Sequence, residues 1–170
     1  VLGLDEHNER ILRDLPDAEK YRFHALLSLE ELFGEQIPLL DLLDKAGQQL
    51  KDFEGSIDAI IGFWDFPVST MVPILCFRYG GLCCASLEAV VKCEHKYWGR
   101  LEQQKVIEEY PRFGLVDPER DTRPPEGMSY PMWVKPVKSA SSELAFGVAN
   151  QQEFQDALAQ IRHGIGRMGA

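Results

Sequence analysis

The sequence predicts an α/β protein, because segments with strand character alternate with segments that have helical periodicity. Residues 57–63 are apolar and β-branched apart from Asp58, which is typical of a parallel strand covered on both faces. Residues 38–53 carry apolar side chains at helical spacing, with Pro38 near the first turn. These two segments together favour a central strand flanked by helices.

The elements before residue 57 begin with a strand and a helix. Residues 1–4 resemble the end of a buried strand, and residues 5–15 carry helix-spaced apolar side chains before Pro16. Residues 21–27 could form a second strand, although Leu26, Leu27, Leu29 and Leu32 would equally line a helix ending at Gly34. Both possibilities remain open at this stage.

After residue 63, the sequence predicts further helices and one short strand. Ser69 or Thr70 could cap a helix over residues 71–79, which Gly80-Gly81 would end. A short strand at residues 82–85 and helices at 86–93 and 96–110 follow. The aromatic turn at residues 64–67 would lie where α/β sheets bind ligands, but packing is the commoner role of such a cluster.

The last third of the chain predicts a hairpin and a helix. Residues 117–129 are rich in proline and charge and form a loop or linker. Residues 132–134 and 144–149 are strands separated by a polar turn, and Asn150 caps a helix over residues 151–161. The predicted division is an α/β domain at residues 1–85 and a second domain at residues 86–170.

Composition and charge exclude several classes of protein. A chain of 170 residues with 45% hydrophobic content can bury one core or two small ones. Its net charge of -9 would repel a phosphate backbone, so nucleic acid is not an expected partner. The longest apolar run, residues 72–77, is far shorter than the roughly 20 residues of a membrane span. No membrane association is therefore expected.

The chain start and the cysteines indicate a cytoplasmic protein. The sequence begins Val-Leu-Gly without Met and soon becomes charged, which is typical of a trimmed cytosolic chain and unlike a secretory signal. Adjacent residues such as Cys83 and Cys84 are a poor start for a disulfide framework, so reduced thiols are predicted. Cys76, Cys83 and Cys84 lie in apolar runs and are expected to be inert core residues. Cys93-x-His95 lacks the paired spacing of a zinc site.

The residues with the clearest chemistry lie in YPMWVKPVKSASSELAFGV, residues 130–148. A strand delivers Lys135, a point charge for phosphate oxygens, and the following turn offers hydroxyls and backbone amides that can form an anion-binding nest. The hydroxyl donors are Ser139, Ser141 and Ser142. The alternative is an ordinary exposed hairpin with solvated lysines.

This segment resembles the phosphate-binding hairpin of the ATP-grasp superfamily. That hairpin runs through apolar residues, Lys-Pro, polar residues, a Gly/Ser-rich turn, a strand and a helix, in the order found here. By this resemblance, Lys135 would contact nucleotide phosphates and Ser141-Ser142 would close over them. Ala140 and Leu144 stand where many relatives have glycine.

A second part of the resemblance lies upstream. His95-Lys96, followed by Arg100, is similar to the Asp/Asn-Lys helix start of the family, with His95 in place of the acid or amide. Lys96 would then be the second ATP-binding lysine, the alternative being a solvated helix lysine. Residues 1–85 are similar to the Rossmann-like preATP-grasp domain, and residues 86–170 to the start of the ATP-grasp domain with its small α+β lid.

The resemblance implies an ATP-dependent ligase of the biotin carboxylase or carboxylate-amine ligase type. ATP would phosphorylate a small carboxylate or bicarbonate, and a nitrogen nucleophile would displace the phosphate. ATP and magnesium are the implied cofactors, with the metal ligands beyond this chain, so the chain alone should not turn over. A homodimer is possible. The competing hypothesis, motivated by Ala140 and Leu144, is a non-catalytic nucleotide-binding or assembly module with the same fold.

Overall fold

The computed structural model describes residues 1–34, 36–139 and 142–165. Contacts between Cα atoms divide the chain into two compact units, Val1–Val91 and Lys92–Ala170. Helices predominate over strands in both units, which gives a mixed α and β protein.

The first unit contains α1 (Glu6–Arg13), a 3-10 turn (Ala18–Lys20), α2 (Leu29–Leu32), α3 (Leu39–Asp52), α4 (Val68–Arg78) and the start of α5 (Leu87–Glu94). Asp5 caps α1 by accepting a hydrogen bond from the Asn8 amide, and Ser28 with Glu31 forms a capping box on α2. The predicted α3 is confirmed. Its buried side chains Leu42, Leu43, Ala46 and Leu50 follow helical spacing and form one wall of the core.

The predicted central strand at residues 57–63 is wrong. These residues are extended, but among the described residues they form no ladder, and the amide of Leu2 donates once to the Ile61 carbonyl. Leu2 and Leu26 form an isolated parallel bridge. Only Ile60 of the segment is buried, whereas Ile61 and Phe63 are more than 40% exposed. The reason is that packing covers one side of this segment, so the apolar run does not behave as a doubly covered strand.

The structure decides between the alternatives left open by the sequence for residues 21–32 and for the aromatic turn at residues 64–67. Residues 21–32 contain both predicted features in short form, a bridge at Leu26 and then helix α2. Trp64 packs edge to face on Phe33 and donates its indole N–H to the Gly3 carbonyl. The aromatic turn at residues 64–67 therefore has a packing role in the described structure.

The remaining differences in the first unit concern α4 and the segment after it. Helix α4 begins at Val68 after Pro67, without a side-chain cap from Ser69 or Thr70, so that prediction is wrong. Its end at Gly80 and Gly81, both at positive φ, is confirmed. Residues 82–85 form no strand. Cys76 is buried as expected, but Cys83 and Cys84 are exposed and are not core residues.

The second unit contains the end of α5, α6 (Lys96–Gln103), β1 (Met132–Val134), β2 (Phe146–Val148) and α7 (Gln151–Gly164). The predicted hairpin is confirmed, with β1 and β2 antiparallel and Trp133 opposite Gly147. Val134 and Val148 point inward and pack on Phe154, Ala157, Leu158 and Ile161 of α7. The predicted Asn150 cap is confirmed, because its side chain accepts from the Glu153 amide. Helix α6 ends at Gln103, seven residues before the predicted end at Tyr110.

Candidate functional site

A cavity of about 700 Å³ lies in the second unit, between helix α6, the loop around Phe113 and strand β1. Helix α6 contributes one face of its surface, since Lys96, Arg100 and Gln103 are spaced at i, i+4 and i+7. Strand β1 contributes Trp133, and Lys135 follows it. In a strand, alternate residues share a face, which places Trp133 and Lys135 on the exposed side and Val134 in the core.

The cavity is basic, although the chain as a whole is acidic. Its lining carries four cationic side chains, and among the described residues that line it there is no Asp or Glu. The four are Lys96, Arg100, Arg112 and Lys135. The four cations attract anions locally, even though the net charge of the whole chain is -9.

Lys135 is the most available of these cations. It is exposed, and within the part of the chain that the structure describes its ammonium group makes no hydrogen bond or ion pair. A lysine that lines a basic cavity and makes no ion pair with a described carboxylate is suited to bind phosphate or carboxylate oxygens. The predicted position of Lys135, at the end of the first hairpin strand, agrees with the structure.

Lys96 and Ser139 lie together, 43 residues apart in sequence. The Lys96 ammonium donates to the Ser139 carbonyl at 2.6 Å and to its hydroxyl at 3.1 Å. The Lys96 amide donates to the Val137 carbonyl at 2.9 Å, and Lys138 pairs with Glu94 at 3.4 Å. Lys96 at the start of α6 and Glu94 at the end of α5 are therefore fastened to residues 137–139. Lys96 is not the solvated helix lysine of the alternative interpretation.

The serine turn is only partly described. Ser141 and Ala140 lie outside the described residues. Ser142 is exposed and has φ of 61°, and Leu144 has φ of 54°. Both values are in the left-handed region that favours glycine. Leu144 thus takes a backbone conformation that favours glycine.

His95 supplies the local structure that directs Lys96 inward. Its Nδ1 atom accepts a hydrogen bond from the Trp98 amide at 3.3 Å, and its ring stacks on Trp98 with centroids 4.0 Å apart. This is the position at which helices prefer Asp, Asn or Ser. The imidazole therefore does the capping that an acid or amide would do at the same place.

The aromatic side chains in the cavity were not predicted as site residues. The rings of Tyr97 and Phe113 pack edge to face, with centroids 5.5 Å apart. Trp133 is 71% exposed, and its ring lies next to Gly147, which has no side chain to cover it. Arg100 and Arg112 were also missed as site residues. Two signals in the sequence could have found part of this set, the i, i+4 spacing of Lys96 and Arg100 and the alternation of Trp133 with Lys135.

Within residues 1–34, 36–139 and 142–165, no group of three His, Cys, Asp or Glu side chains could hold a metal ion. Cys93 lines the cavity near Lys96, but its neighbours there are cations and aromatic rings.

Comparison with known proteins returned no match to a protein-family model, to a curated protein or to a solved structure. Among the described residues, no helix has both the length and the apolar character needed to cross a lipid bilayer.

Proposed function

We propose that this chain binds ATP through the basic cavity of its second unit and belongs to an ATP-dependent ligase. The observation that carries the proposal is the set of Lys96, Arg100, Arg112 and Lys135 around a cavity without a lining carboxylate. A triphosphate carries several negative charges, which such a cavity would neutralise. The likeness of the hairpin and the α6 start to the ATP-grasp superfamily supports the same ligand.

In the proposed reaction, ATP phosphorylates a small carboxylate or bicarbonate, and a nitrogen nucleophile displaces the phosphate. Lys135 and Lys96 would stabilise the charge of the transferring phosphoryl group, and the serine turn would cover it and exclude water. Magnesium would accompany ATP and be held mainly by residues beyond this chain. The finer fold proposed is a preATP-grasp domain followed by the lid of an ATP-grasp domain.

The exposed ring of Trp133 is suited to a flat partner in the same cavity. It shares a strand face with Lys135, so a nucleotide whose phosphates reach Lys135 would bring its base or ribose near this indole. Binding should then change the tryptophan fluorescence. Variants with Trp64→Phe and Trp98→Phe leave Trp133 as the remaining tryptophan and isolate its signal.

The binding test is a titration of the chain with ATP and magnesium, followed by NMR amide shifts and by Trp133 fluorescence. We expect weak binding, with shifts in α6 and around Lys135. Lys135→Ala should weaken it by about tenfold or more, since a hydrogen bond to a charged group contributes about 1.5–3 kcal/mol. Lys105→Ala is the matched control, because Lys105 is exposed in the same unit, pairs with Glu102 and does not line the cavity.

Two outcomes of these experiments would distinguish the ATP-dependent ligase from its alternatives. If millimolar ATP causes no shift and Lys135→Ala changes nothing, the nucleotide proposal fails. If ATP binds but the full-length protein does not form an acyl phosphate from any carboxylate, the non-catalytic nucleotide-binding or assembly module is the better description. That second hypothesis is favoured by Leu144, whose side chain restricts a turn that glycine would leave mobile.

A further inference from the structure

Arg100 is held at the wall of the basic cavity by a neutral side chain. Its Nη1 atom donates to the Oε1 atom of Gln103 at 2.6 Å, and both residues line the cavity. The two positions are three residues apart on α6 and therefore lie on the same face of the helix. This hydrogen bond holds the guanidinium group of Arg100 without placing a negative charge beside it.

The donors of Arg100 are only partly used by this bond. A guanidinium group has five N–H donors in a planar fork. Among the described residues, the side chain of Arg100 makes no hydrogen bond or ion pair besides the one to Gln103. Its Nε and Nη2 atoms therefore remain available as two parallel donors, the arrangement that binds two oxygens of one phosphate or carboxylate.

The acid nearest to Arg100 in the sequence, Glu102, is bound elsewhere. Its carboxylate binds the Lys105 ammonium group at 2.6 Å and the Lys92 ammonium group at 3.1 Å. None of these three is among the described residues that line the cavity. The partner of Arg100 is instead the amide of Gln103, so within the described part of the chain no carboxylate compensates the charge of Arg100.

We propose that Gln103 is a positioning residue of the anion site, which holds Arg100 toward the ligand as a neutral partner and leaves its charge for a phosphate group. This inference rests on the proposed function, because the ligand is the polyphosphate chain of a nucleotide. A carboxylate at this position would also hold Arg100 but would compensate its charge. A side chain that cannot accept a hydrogen bond would leave the charge but release the long Arg100 side chain.

Two substitutions test the two parts of this role. Gln103→Glu keeps the acceptor and adds a negative charge, so it should weaken ATP binding by about fivefold or more through compensation of the neighbouring cation. Gln103→Met keeps the length and helix propensity of the side chain but removes the acceptor. It should weaken binding by about two- to fivefold, because the ligand must then order the Arg100 side chain itself.

Gln104→Glu is the matched control, since Gln104 is exposed, follows Gln103 at the end of α6 and is not among the described residues that line the cavity. It adds the same charge to the same end of the helix.

Salt gives a readout that a purely structural role would not change. Between about 0.1 M and about 1 M salt the Debye length falls from about 10 Å to about 3 Å. Over this range the difference in Kd between Gln103→Glu and the wild type should shrink. The difference for Gln103→Met should persist, because it does not depend on an added charge.

The experiment measures the Kd of the full chain for ATP with magnesium and for inorganic tripolyphosphate with magnesium, by NMR titration. We expect Gln103→Glu and Gln103→Met to bind both ligands more weakly than the wild type, and Gln104→Glu to bind them as the wild type does. Gln103 is exposed, so amide spectra without ligand should show that the variants keep the native fold.

The two ligands separate failure of this inference from failure of the proposed function. If the wild type binds ATP and Gln103→Glu binds it equally well at low salt, the role of Gln103 is refuted and nucleotide binding stands. If the wild type binds tripolyphosphate with the expected order of variants but does not bind ATP, the nucleotide proposal fails and the role of Gln103 stands. Binding of neither ligand would overturn both. Equal losses in Gln103→Glu and Gln104→Glu would assign the effect to the charge of the helix and would overturn the inference.

Discussion

His95 shows how one side chain can replace the residue types that usually begin a helix. Its Nδ1 atom accepts a hydrogen bond from the Trp98 amide, which would otherwise be one of the unpaired donors of the first turn. The stacked Trp98 ring holds the imidazole in this orientation. Lys96 is the next residue, so the cap also fixes the direction in which its ammonium group enters the hairpin turn.

His95→Ala should therefore destabilise the start of α6 by about 1 kcal/mol, the usual effect of losing a capping side chain. His95→Asn should keep most of that stability, because an amide oxygen can accept the same amide hydrogen. Hydrogen exchange of the Trp98 amide, followed by NMR, measures the local effect. Equal exchange rates in the alanine and asparagine variants would show that the hydrogen bond from Trp98 contributes nothing to the helix.

Gly62 is a second residue whose identity the structure explains. Gly62 is exposed, but a Cβ atom at this position would lie 2.4 Å from Cγ1 of Val68, a buried residue of α4. Gly47, in the middle of α3, has no atom within 4 Å of the corresponding position. We therefore expect substitution by alanine to change the free energy of unfolding in opposite directions at these two positions.

Gly62→Ala should destabilise the first unit by about 1–3 kcal/mol, because an extra methyl group in a packed core forces neighbours to move. Gly47→Ala should stabilise it by about 0.5–1 kcal/mol, because alanine has the higher helix propensity. Urea unfolding followed by Trp64 fluorescence, with the other tryptophans replaced by Phe, measures both. The packing argument would be refuted by a Gly62→Ala variant at least as stable as the wild type.

At the scale of elements, Glu31 connects α2 to α3. Its carboxylate accepts the Ser28 amide within the capping box and also binds the Lys45 ammonium group on α3. The hydrogen bond with Lys45, followed by that with the Ser28 backbone, lowers the pKa of Glu31 below its ordinary value. The ionised carboxylate is therefore the form that favours the folded state.

Because the pKa of Glu31 is lowered in the folded state, the stability that Glu31 contributes depends on pH. A carboxyl group with a lowered pKa contributes stability that is present above its ordinary pKa of 4.5 and is lost as the pH falls through the lowered folded value. Glu31→Gln keeps a side chain compatible with the capping box but removes the charge. The variant should be less stable than the wild type at pH 7, and the difference in urea midpoint should shrink at pH 3.

Glu30→Gln is the control for this comparison, since Glu30 is the adjacent exposed acid and makes no ion pair with the described residues. It removes the same charge from the same helix. A pH dependence of equal size in both variants would assign the effect to net charge and not to the link between α2 and α3. High salt should reduce the Glu31 effect, because the pair lies near the surface.

The elements also differ in how well the sequence predicts them, for a physical reason. The hairpin and α7 were predicted closely because their signals are local: alternation in β1 and β2, and the Asn150 cap with helix-spaced Phe154 and Leu158. Residues 57–63 gave an apolar run whose structure depends on distant partners. Among the described residues, its backbone pairing with Leu2 is one hydrogen bond, from the Leu2 amide to the Ile61 carbonyl. A single bond of this kind does not make a strand ladder.

The same distinction applies to the candidate site. Lys135 was predicted from local sequence order and Lys96 from the resemblance of its helix start, whereas the contact of the Lys96 ammonium with Ser139 was not predicted. Arg112 comes from a loop without periodic signal, and its approach to the cavity depends on the fold of residues 111–116. Trp133 was not singled out from the sequence, and its 71% exposure opposite Gly147 depends on how the two strands pair. Residues fixed by tertiary contacts are therefore the ones missed.

At the scale of the whole molecule, each unit has a hydrophobic core of its own. The first unit is built around Leu2, Leu43 and Met71, and the second around Val134, Phe154 and Leu158. All residues that line the basic cavity belong to the second unit. A ligand bound in that cavity would contact residues of the second unit. It would stabilise the elements around the cavity by mass action.

Hydrogen exchange with mass spectrometry in the presence of ATP and magnesium should therefore show protection in peptides of the second unit, at residues 96–103 and 130–137. Peptides of residues 1–91 should exchange as they do without ligand, because the proposed contacts all come from the second unit. Lys135→Ala should remove the protection, and Lys105→Ala should keep it. Protection centred on residues 57–67 instead would move the nucleotide site to the extended segment and its aromatic turn, and the basic cavity would lose its proposed role.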